Sequence, residues 1–505
     1  MLAKTKGYVL TGLHGRAVDV EVDTNLGLPG FEIVGLPDAA VKESKERVRS
    51  AVKNSGKKFP IHKITVNLAP AELKKEGAGL DLPIAVGIII ANLQLVTTKQ
   101  DTAMIGELSL DGKIRGVDGI LPVLISAREQ GVKEIIIPKE NSEEGSFIDG
   151  ITVYAAPDLK SVCDHLEGKT LLETVKKRDY SEIYKTAEYD NDLKFVKGQL
   201  VARRALEVAV SGNHNIILEG PPGAGKTMLA KCIPSIMPDL SFKEALETTQ
   251  IHSVAGKLKG TEGIVYKRPF MTPHHTASSV SIIGGGQSAK PGIVSLAHNG
   301  VLFLDEMPEY PRSVLESLRQ PLEDRVITVT RVKGNFEYPA SFMLVGSMNP
   351  CPCGYYGSKI KECTCSPYQI KKYREKISGP LLDRMDIRIN VDSVKYEELV
   401  ADENAESSAE VRKRVNRTRA VQRERFKDDG ISSNAEMSER HLKKYCKLSP
   451  ECEEVLRYAF ESLKLSARAR SRIIKVARTI ADMELSENIE PKHLMEAVGY
   501  RGEEL

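Results

Sequence analysis

Eight consecutive residues, Gly220-Pro221-Pro222-Gly223-Ala224-Gly225-Lys226-Thr227, have the composition and spacing of a phosphate cradle. Glycines let backbone N–H groups turn inward around phosphate oxygens, and the start of a helix adds its positive dipole. Lys226 is expected to reach the β- and γ-phosphates of ATP, and Thr227 to ligate Mg²⁺. A second set of groups lies downstream. The apolar run Val301-Leu302-Phe303-Leu304 ends in Asp305-Glu306. Asp305 is expected to hold Mg²⁺ with Thr227, and Glu306 to polarise an attacking water. A third apolar run, from Phe342, leads to Asn349-Pro350, where the Asn could orient that water or simply open a turn before Pro.

Two further groups of residues carry possible chemistry. Cys351, Cys353, Cys363 and Cys365 form C-x-C-x9-C-x-C, with Gly354 and Gly357 between the pairs. Four thiolates in so short a stretch suit a closed, tetrahedral structural Zn²⁺ site; reduced free thiols and a redox pair are the other readings. Arg325 to Arg331 and Glu337 to Val345 read as a hairpin around Lys333-Gly334-Asn335, which is turn chemistry. Arg331 and Lys333 could contact nucleic-acid phosphates there, or form an exposed basic turn. The Gly-rich run Gly284 to Lys290 could be a second such loop. His274-His275 lies near it, with turn or interface packing the plainer reading than metal binding.

Elements must hold these groups in place. Asn215 to Glu219 is a short strand that runs into the cradle, and Met228 to Lys231 starts a helix, which is the context the cradle needs. Residues 1–168 alternate short strands and helices. Val18 to Val22 and Ile64 to Leu68 have the period of half-buried strands, Ala39 to Asn54 that of an amphipathic helix, and Ile135 to Pro138 ends another strand. Residues 169–194 read as a polar linker, 195–395 as an α/β nucleotide-binding core, 396–408 as a small acidic linker, and 409–505 as an all-helical domain.

Composition agrees with several soluble domains. The chain has 505 residues, 41% hydrophobic and 28% charged, with a net charge of +3. That balance neither argues for nucleic acid nor excludes it. Eight cysteines in so long a chain do not form a secreted disulfide framework. The apolar stretch Leu82 to Leu95 is too short to cross a membrane and suits a buried helix. With no secretion-signal pattern at the start, a cytoplasmic location is expected and no membrane partner.

The cradle, the carboxylate pair and the Asn together resemble the AAA+ superfamily, and more closely its Mg-chelatase and MCM-helicase branch. Pro291-Gly292 through Leu296-Ala297-His298 to Asp305-Glu306 is similar to that branch's Walker B region with its preceding insert. Asn349 then matches sensor 1. Gly379-Pro380-Leu381-Leu382-Asp383-Arg384-Met385-Asp386 resembles the arginine-finger segment, which implies that Arg384 acts on a neighbouring subunit's nucleotide. Ser466 to Arg472 resembles the sensor-2 helix, with Arg468 the sensor and Arg472 the fallback. The hairpin at Lys333 falls where the branch has its pore-entering pre-sensor hairpin.

Asn67-Leu68-Ala69-Pro70-Ala71-Glu72 through Asp81-Leu82-Pro83-Ile84-Ala85 is similar to the Lon-protease-like domain of the ComM/YifB family of Mg-chelatase-like proteins. That resemblance spans nearly the whole chain. It implies an ATPase that closes as a homo-hexamer and drives branch migration of single-stranded or branched DNA in homologous recombination and natural transformation. The competing class is a chelatase-type or protein-remodelling motor that does not act on DNA. Asp81 falls where Lon has its nucleophilic Ser and Leu121 where Lon has its Lys, so no protease activity is expected.

Overall fold

The computed structural model describes residues 1–99, 101–184, 189–258, 262–286, 289–331, 334–358, 361–394, 405–463 and 465–501. They form two compact units, 1–186 with 241–266 and 187–240 with 267–505.

The first unit is built on a seven-stranded mixed sheet. Its strands are β1 (Leu2–Thr11), β2 (His14–Asn25), β3 (Gly30–Val34), β4 (Lys63–Ala69), β5 (Ala103–Met104), β6 (Glu134–Pro138) and β7 (Thr152–Ala156), in the order β3-β4-β2-β1-β5-β6-β7. β1 and β4 run antiparallel to β2, whereas β5, β6 and β7 continue in parallel. The alternation at Val18, Val20 and Val22 lies in β2, and all three side chains are fully buried. Helix α1 (Ala39–Asn54) starts at Asp38, whose carboxylate accepts from Val41 N at 2.8 Å. It buries Val41, Ser44, Val48, Ala51 and Val52, one stripe at helical spacing. Helix α2 (Asp81–Ala91) is apolar on every side and buried at every residue except Ile90, as a helix wholly within a core must be. Helix α3 (Ile120–Glu129) packs on β2 in a separate hydrophobic core from that of α1 and α2, and Leu121 is buried in its first turn.

Residues 241–266, inside the stretch expected for the nucleotide-binding core, group with this sheet. Their helix, Phe242–Val254, carries Leu246 against the core that contains Leu121 and Leu124. Ser253 donates to the buried Glu144 carboxylate at 2.5 Å, and Glu144 also accepts from Asn141 at 2.9 Å and Leu121 N at 3.3 Å.

The second unit centres on a five-stranded parallel sheet. Its strands are β8 (Ile216–Glu219), β9 (Phe270–Met271), β10 (Val301–Leu304), β13 (Met343–Met348) and β14 (Ile387–Asn390), in the order β9-β10-β13-β8-β14. Between β10 and β13 stands a separate hairpin, β11 (Val326–Arg331) paired with β12 (Gly334–Pro339). Central strands β10 and β13 are buried at every residue, which is why they read as continuous apolar runs. Helices α4 (Leu200–Gly212) and α5 (Lys226–Ile236) cover the sheet.

The C-terminal residues are helical: α7 (Ser408–Arg425), α8 (Pro450–Ser462), α9 (Ala467–Met483) and α10 (Pro491–Gly499). They share one hydrophobic core with the sheet. Polar contacts reinforce the join. Arg414 of α7 makes a two-point contact with Glu207 of α4 at 2.6 and 3.0 Å, and Gln422 donates to Ser211 O at 3.0 Å. Ser408 sits 2.7 Å from Ser235 near the end of α5. The architecture is thus α/β with a parallel nucleotide-binding sheet, an N-terminal α+β unit and a helical C-terminal segment.

Asp81 has a structural task. It is 1% exposed at the start of α2, and Arg47 of α1 grips it through Nε at 2.7 Å and Nη2 at 3.1 Å. Leu108 N donates to the same carboxylate at 3.2 Å. Burial pushes the Asp81 carboxyl up to about 6 against the pull of Arg47. Removing one member of a buried pair strands the other. Asp81→Ala is therefore expected to destabilise this unit by about 3 kcal/mol in urea unfolding; an unchanged midpoint would show that the pair holds nothing.

Candidate nucleotide site and finger cluster

Three parallel strands deliver the first cluster to their carboxyl ends, where open α/β sheets bind ligands. β8 ends at Glu219 and turns into Gly220–Thr227; β10 ends before Asp305; β13 ends before Asn349. Gly225 caps helix α5 with φ +88°, a left-handed conformation that suits glycine. Gly220 has Val391 O 2.2 Å from where a Cβ would stand, so no side chain fits there.

The side chains converge. Lys226 Nζ donates to Gly220 O at 2.7 Å, Pro221 O at 2.9 Å and Asn349 Oδ1 at 3.1 Å. Burial lowers its pKa, while Asp305, Glu306 and Glu219 pull it back up. Thr227 Oγ1 donates to Asp305 Oδ2 at 3.0 Å. Ser347, 1% exposed, donates to the other Asp305 oxygen and accepts from Glu306 N at 3.0 Å. Glu306 is exposed and held at φ +52°, unusual for a non-glycine residue and often found where a functional side chain is aimed. The adjacent hydroxyl of Thr227 and carboxylate of Asp305 are hard oxygen donors of the kind Mg²⁺ takes beside substrate phosphates. Ser347 was not picked out by sequence reasoning; a lone hydroxyl in an apolar strand was the available signal.

The finger segment lies at the other end of the same sheet. Asp386 and Ile387 donate their N–H groups to Asn215 O, at 2.9 and 3.0 Å, at the amino ends of β14 and β8. Arg384 O accepts from Asn215 Nδ2 at 3.0 Å. Four residues of β8, about 13 Å of strand, separate this edge from the phosphate loop. Arg384 is 6% exposed; it donates to Pro380 O at 2.6 Å and to Glu323, and its Nε finds no hydrogen-bond partner among the described residues. Arg468, exposed in the first turn of α9, lines one pocket of about 310 Å³ with Arg384, Glu323, Arg472 and Lys475.

Arg472 is already engaged. It pairs with the buried Asp386 at 2.5 Å, and His214 Nδ1 lies 3.5 Å from the same carboxylate. Burial alone would raise the Asp386 pKa, but Arg472 and His214 outweigh it and hold it well below the usual carboxylate range. His214 Nε2 meets Thr479 Oγ1 of α9 at 2.8 Å. Sequence reasoning missed Asp386 and His214 as partners, because they lie some 170 residues apart and meet only in the fold.

The four cysteines follow Asn349 directly. Their Sγ atoms all lie within 4.8 Å of one another, with pairs at 3.3, 3.6 and 3.6 Å. Tetrahedral Zn–S bonds of about 2.3 Å put sulfurs about 3.8 Å apart, so the donor set and its spacing fit zinc. Among the described residues no other group of three or more His, Cys, Asp or Glu has a metal's spacing. The His274 and His275 rings lie 4.1 Å apart, tilted by 33°, and His274 Nδ1 meets Thr276 Oγ1 at 2.8 Å, a turn contact. In the Gly-rich run, Gly284-Gly285 pairs with Lys290-Pro291, and residues 287–288 lie outside the described residues. Arg331 ends β11, but its side chain and all of Lys333 lie outside the described residues.

Sheet order, phosphate loop and carboxylate strand define a P-loop protein of the AAA+ class. Three family descriptions match in succession: "Subunit ChlI of Mg-chelatase" over residues 20–141, "Magnesium chelatase, subunit ChlI" over 192–399, and "Magnesium chelatase, subunit ChlI C-terminal" over 405–501. The chain is 42% identical over 495 residues to the protein YifB of Escherichia coli, covering 97% of this chain and 95% of that one. It is 41% identical over 496 residues to the competence protein ComM of Haemophilus influenzae, with the same coverage. It therefore belongs to the YifB/ComM family of magnesium-chelatase-like AAA+ proteins. A Lon protease of Trichlorobacter lovleyi is 28% identical over 145 residues, 27% of this chain and 18% of that one, which fits a Lon-like N-terminal region. No helix among the described residues is long and apolar enough to cross a membrane.

Second-layer hydrogen bonds to a metal-binding carboxylate commonly matter about 10- to 100-fold. Ser347→Ala is expected to raise the Mg²⁺ concentration needed for half-maximal ATP hydrolysis by about tenfold. Titrating Mg²⁺ at saturating ATP reads this directly; an unchanged titration would remove Ser347 from the site.

Proposed function

We propose that this chain hydrolyses ATP as a closed ring of six copies and uses the energy to move DNA, driving branch migration in recombination. The observation that carries the ring is the position of Arg384. It stands at the amino edge of the sheet whose carboxyl edge bears the phosphate loop, farther than an arginine side chain spans. A finger so placed serves the nucleotide of a second copy, and head-to-tail contacts of this kind close into rings.

The chemistry follows from the residues. The P-loop amides and Lys226 bind the phosphates, the ammonium exchanging the Gly220 and Pro221 carbonyls for phosphate oxygens. Thr227 and Asp305 would hold Mg²⁺, which supplies charge neutralisation at the β- and γ-phosphates. Glu306, exposed and aimed by its left-handed backbone, polarises the attacking water, and Asn349 orients it. From the neighbouring copy Arg384 and Arg468 meet the charge that builds on the departing phosphoryl group. Arg468 suits this role better than Arg472, whose guanidinium is committed to Asp386. Zn²⁺ in the four cysteines is a structural site.

The DNA reading rests on the competence relative and on the hairpin β11–β12, which stands in the chain position of a pore loop, with Arg331 ending β11 and Lys333 two residues on in the sequence. A chelatase-type motor is the second reading, favoured by the three chelatase family descriptions. Arg384→Ala is expected to keep ATP binding and lose about 1,000-fold in turnover, whereas Lys226→Ala loses binding. Mixing the two inactive proteins should restore part of the activity, since some interfaces then join an intact P-loop to an intact finger. No recovery on mixing would place the finger in its own chain's site. Single-stranded and branched DNA should stimulate hydrolysis, and Arg331→Ala with Lys333→Ala should lose that stimulation while basal hydrolysis remains. No DNA binding at low salt would leave the chelatase-type reading.

A further inference from the structure

We propose that metal in the four-cysteine knuckle sets the shape of the phosphate loop, so that filling or emptying the knuckle raises or lowers affinity for nucleotide. This rests on reading the cysteines as a zinc site, and it gives that site a regulatory task beyond local folding.

The knuckle is attached to the nucleotide site at its entry, its middle and its exit. At its entry, Asn349 takes the Lys226 ammonium at 3.1 Å, and Cys351 follows two residues later, fully buried. In its middle, Gly354 lies against the phosphate loop itself. A Cβ there would stand 2.6 Å from Pro222 Cδ and 2.8 Å from Pro222 Cγ, with Asn349 Cγ at 3.8 Å. Gly354 also has φ +85°, so both its backbone and its contact exclude a side chain. At its exit, Ser366 follows Cys365 and caps helix α6 (Pro367–Arg374). Arg374, at the far end of α6, donates through Nε to Pro350 O at 3.4 Å and through Nη2 to Glu219 Oε1 at 3.3 Å. Its guanidinium also lies 5.5 Å from the centre of the Tyr356 ring, and Tyr356 N donates to Cys351 Sγ at 3.3 Å.

Arg374 thus ties together the residue that opens the phosphate loop, the residue after Asn349, and the aromatic ring on the knuckle. Two short cysteine pairs separated by a nine-residue loop have little apolar material to hold them: Cys351 is buried, but Cys353, Cys363 and Cys365 are only partly so. Bonds to a metal are then what fixes the loop, because structural zinc sites supply folding energy outright. Losing them frees Gly354 from Pro222 and lets Asn349 drift from Lys226. The phosphate loop then pays more to adopt its binding shape.

The test uses the full chain and a fluorescent ADP analogue. Zinc is removed with a chelator, its content measured by elemental analysis, and helix content followed by circular dichroism. Stripped protein that keeps its helix content is expected to bind the analogue about tenfold more weakly, and one equivalent of zinc to restore binding. Gly354→Ala, which leaves all four thiols in place, is expected to keep its zinc and still bind about tenfold more weakly. Stripped protein that binds within twofold of the zinc-loaded form overturns the proposal while leaving the zinc site standing, as does a Gly354→Ala variant of unchanged affinity. Protein that holds under half an equivalent of zinc and takes up none on addition overturns the zinc site and this proposal with it. Loss of helix content on stripping also overturns it, because the metal would then hold the whole unit together rather than one loop.

Discussion

Parallel pairing of Ile216–Glu219 with Met343–Met348 on one side and Ile387–Asn390 on the other is the constraint on which the second unit depends. All strand carboxyl ends share one edge, so the P-loop, Asp305 and Asn349 meet without any of them being near the others in sequence. All amino ends share the opposite edge, so Arg384 and Asp386 are necessarily far from their own chain's phosphate loop. One hydrogen-bonding pattern therefore places the proposed nucleotide site on one edge and Arg384, the proposed finger, on the other. Asn215 marks the seam. Its O accepts from Asp386 and Ile387, its Nδ2 donates to Arg384 O, and its Oδ1 accepts from Leu344 N at 2.8 Å, fixing three strands in register.

Much of this was legible in the sequence where the signal is local. A glycine loop between a strand and a helix, an apolar run ending in two carboxylates, and α1's stripe of Val41, Val48 and Val52 all carry their geometry in their spacing. What was not legible depends on partners far apart in the chain. Nothing near Asp386 announces that it meets His214 and Arg472. Nothing in Phe242 to Val254 announces that its helix packs with the N-terminal sheet rather than the nucleotide-binding one. A moderately apolar helix fits either surface, and only contacts such as Ser253 with Glu144 decide between them. Arg374 was silent for a related reason: an arginine at a helix end reads as a favourable match to the helix dipole, and its inward contacts with Glu219 and Pro350 have no sequence signature.

Buried charge is handled in two ways. At Asp81 one guanidinium and one backbone N–H satisfy a carboxylate in a helix that is otherwise apolar throughout. Replacing such a pair with packed apolar side chains is often no less stable, so its value here lies in joining α1 to α2 in one orientation. At Asp386 the ion pair crosses from the sheet edge to α9, the helix that carries Arg468. The same carboxylate also accepts from Asn215 N at 3.1 Å. It links the strand register, the finger segment and the helical domain through one fully buried group.

That link bears on how Arg384 is held. A guanidinium with its Nε unsatisfied and only 6% of its surface exposed is costly, and burial lowers its pKa, with Arg319, Arg468 and Arg472 adding repulsion. Glu323, itself more than half exposed, is the carboxylate that meets it among the described residues. Such an arrangement is poor as a stability device, since the pair gives little back for burying the charge. It is sensible for a group whose full set of partners arrives with another molecule. In the proposed ring, a phosphate from the neighbouring copy would satisfy Arg384 and Arg468 together and relieve the repulsion between them. Hydrolysis and phosphate release would restore it. Because Asp386 fixes Arg472 while leaving Arg468 exposed, that repulsion is borne by a side chain at the start of α9. The helical domain would then feel the nucleotide state of the neighbouring copy through charge, alongside the apolar core and the ion pairs that join it to its own sheet.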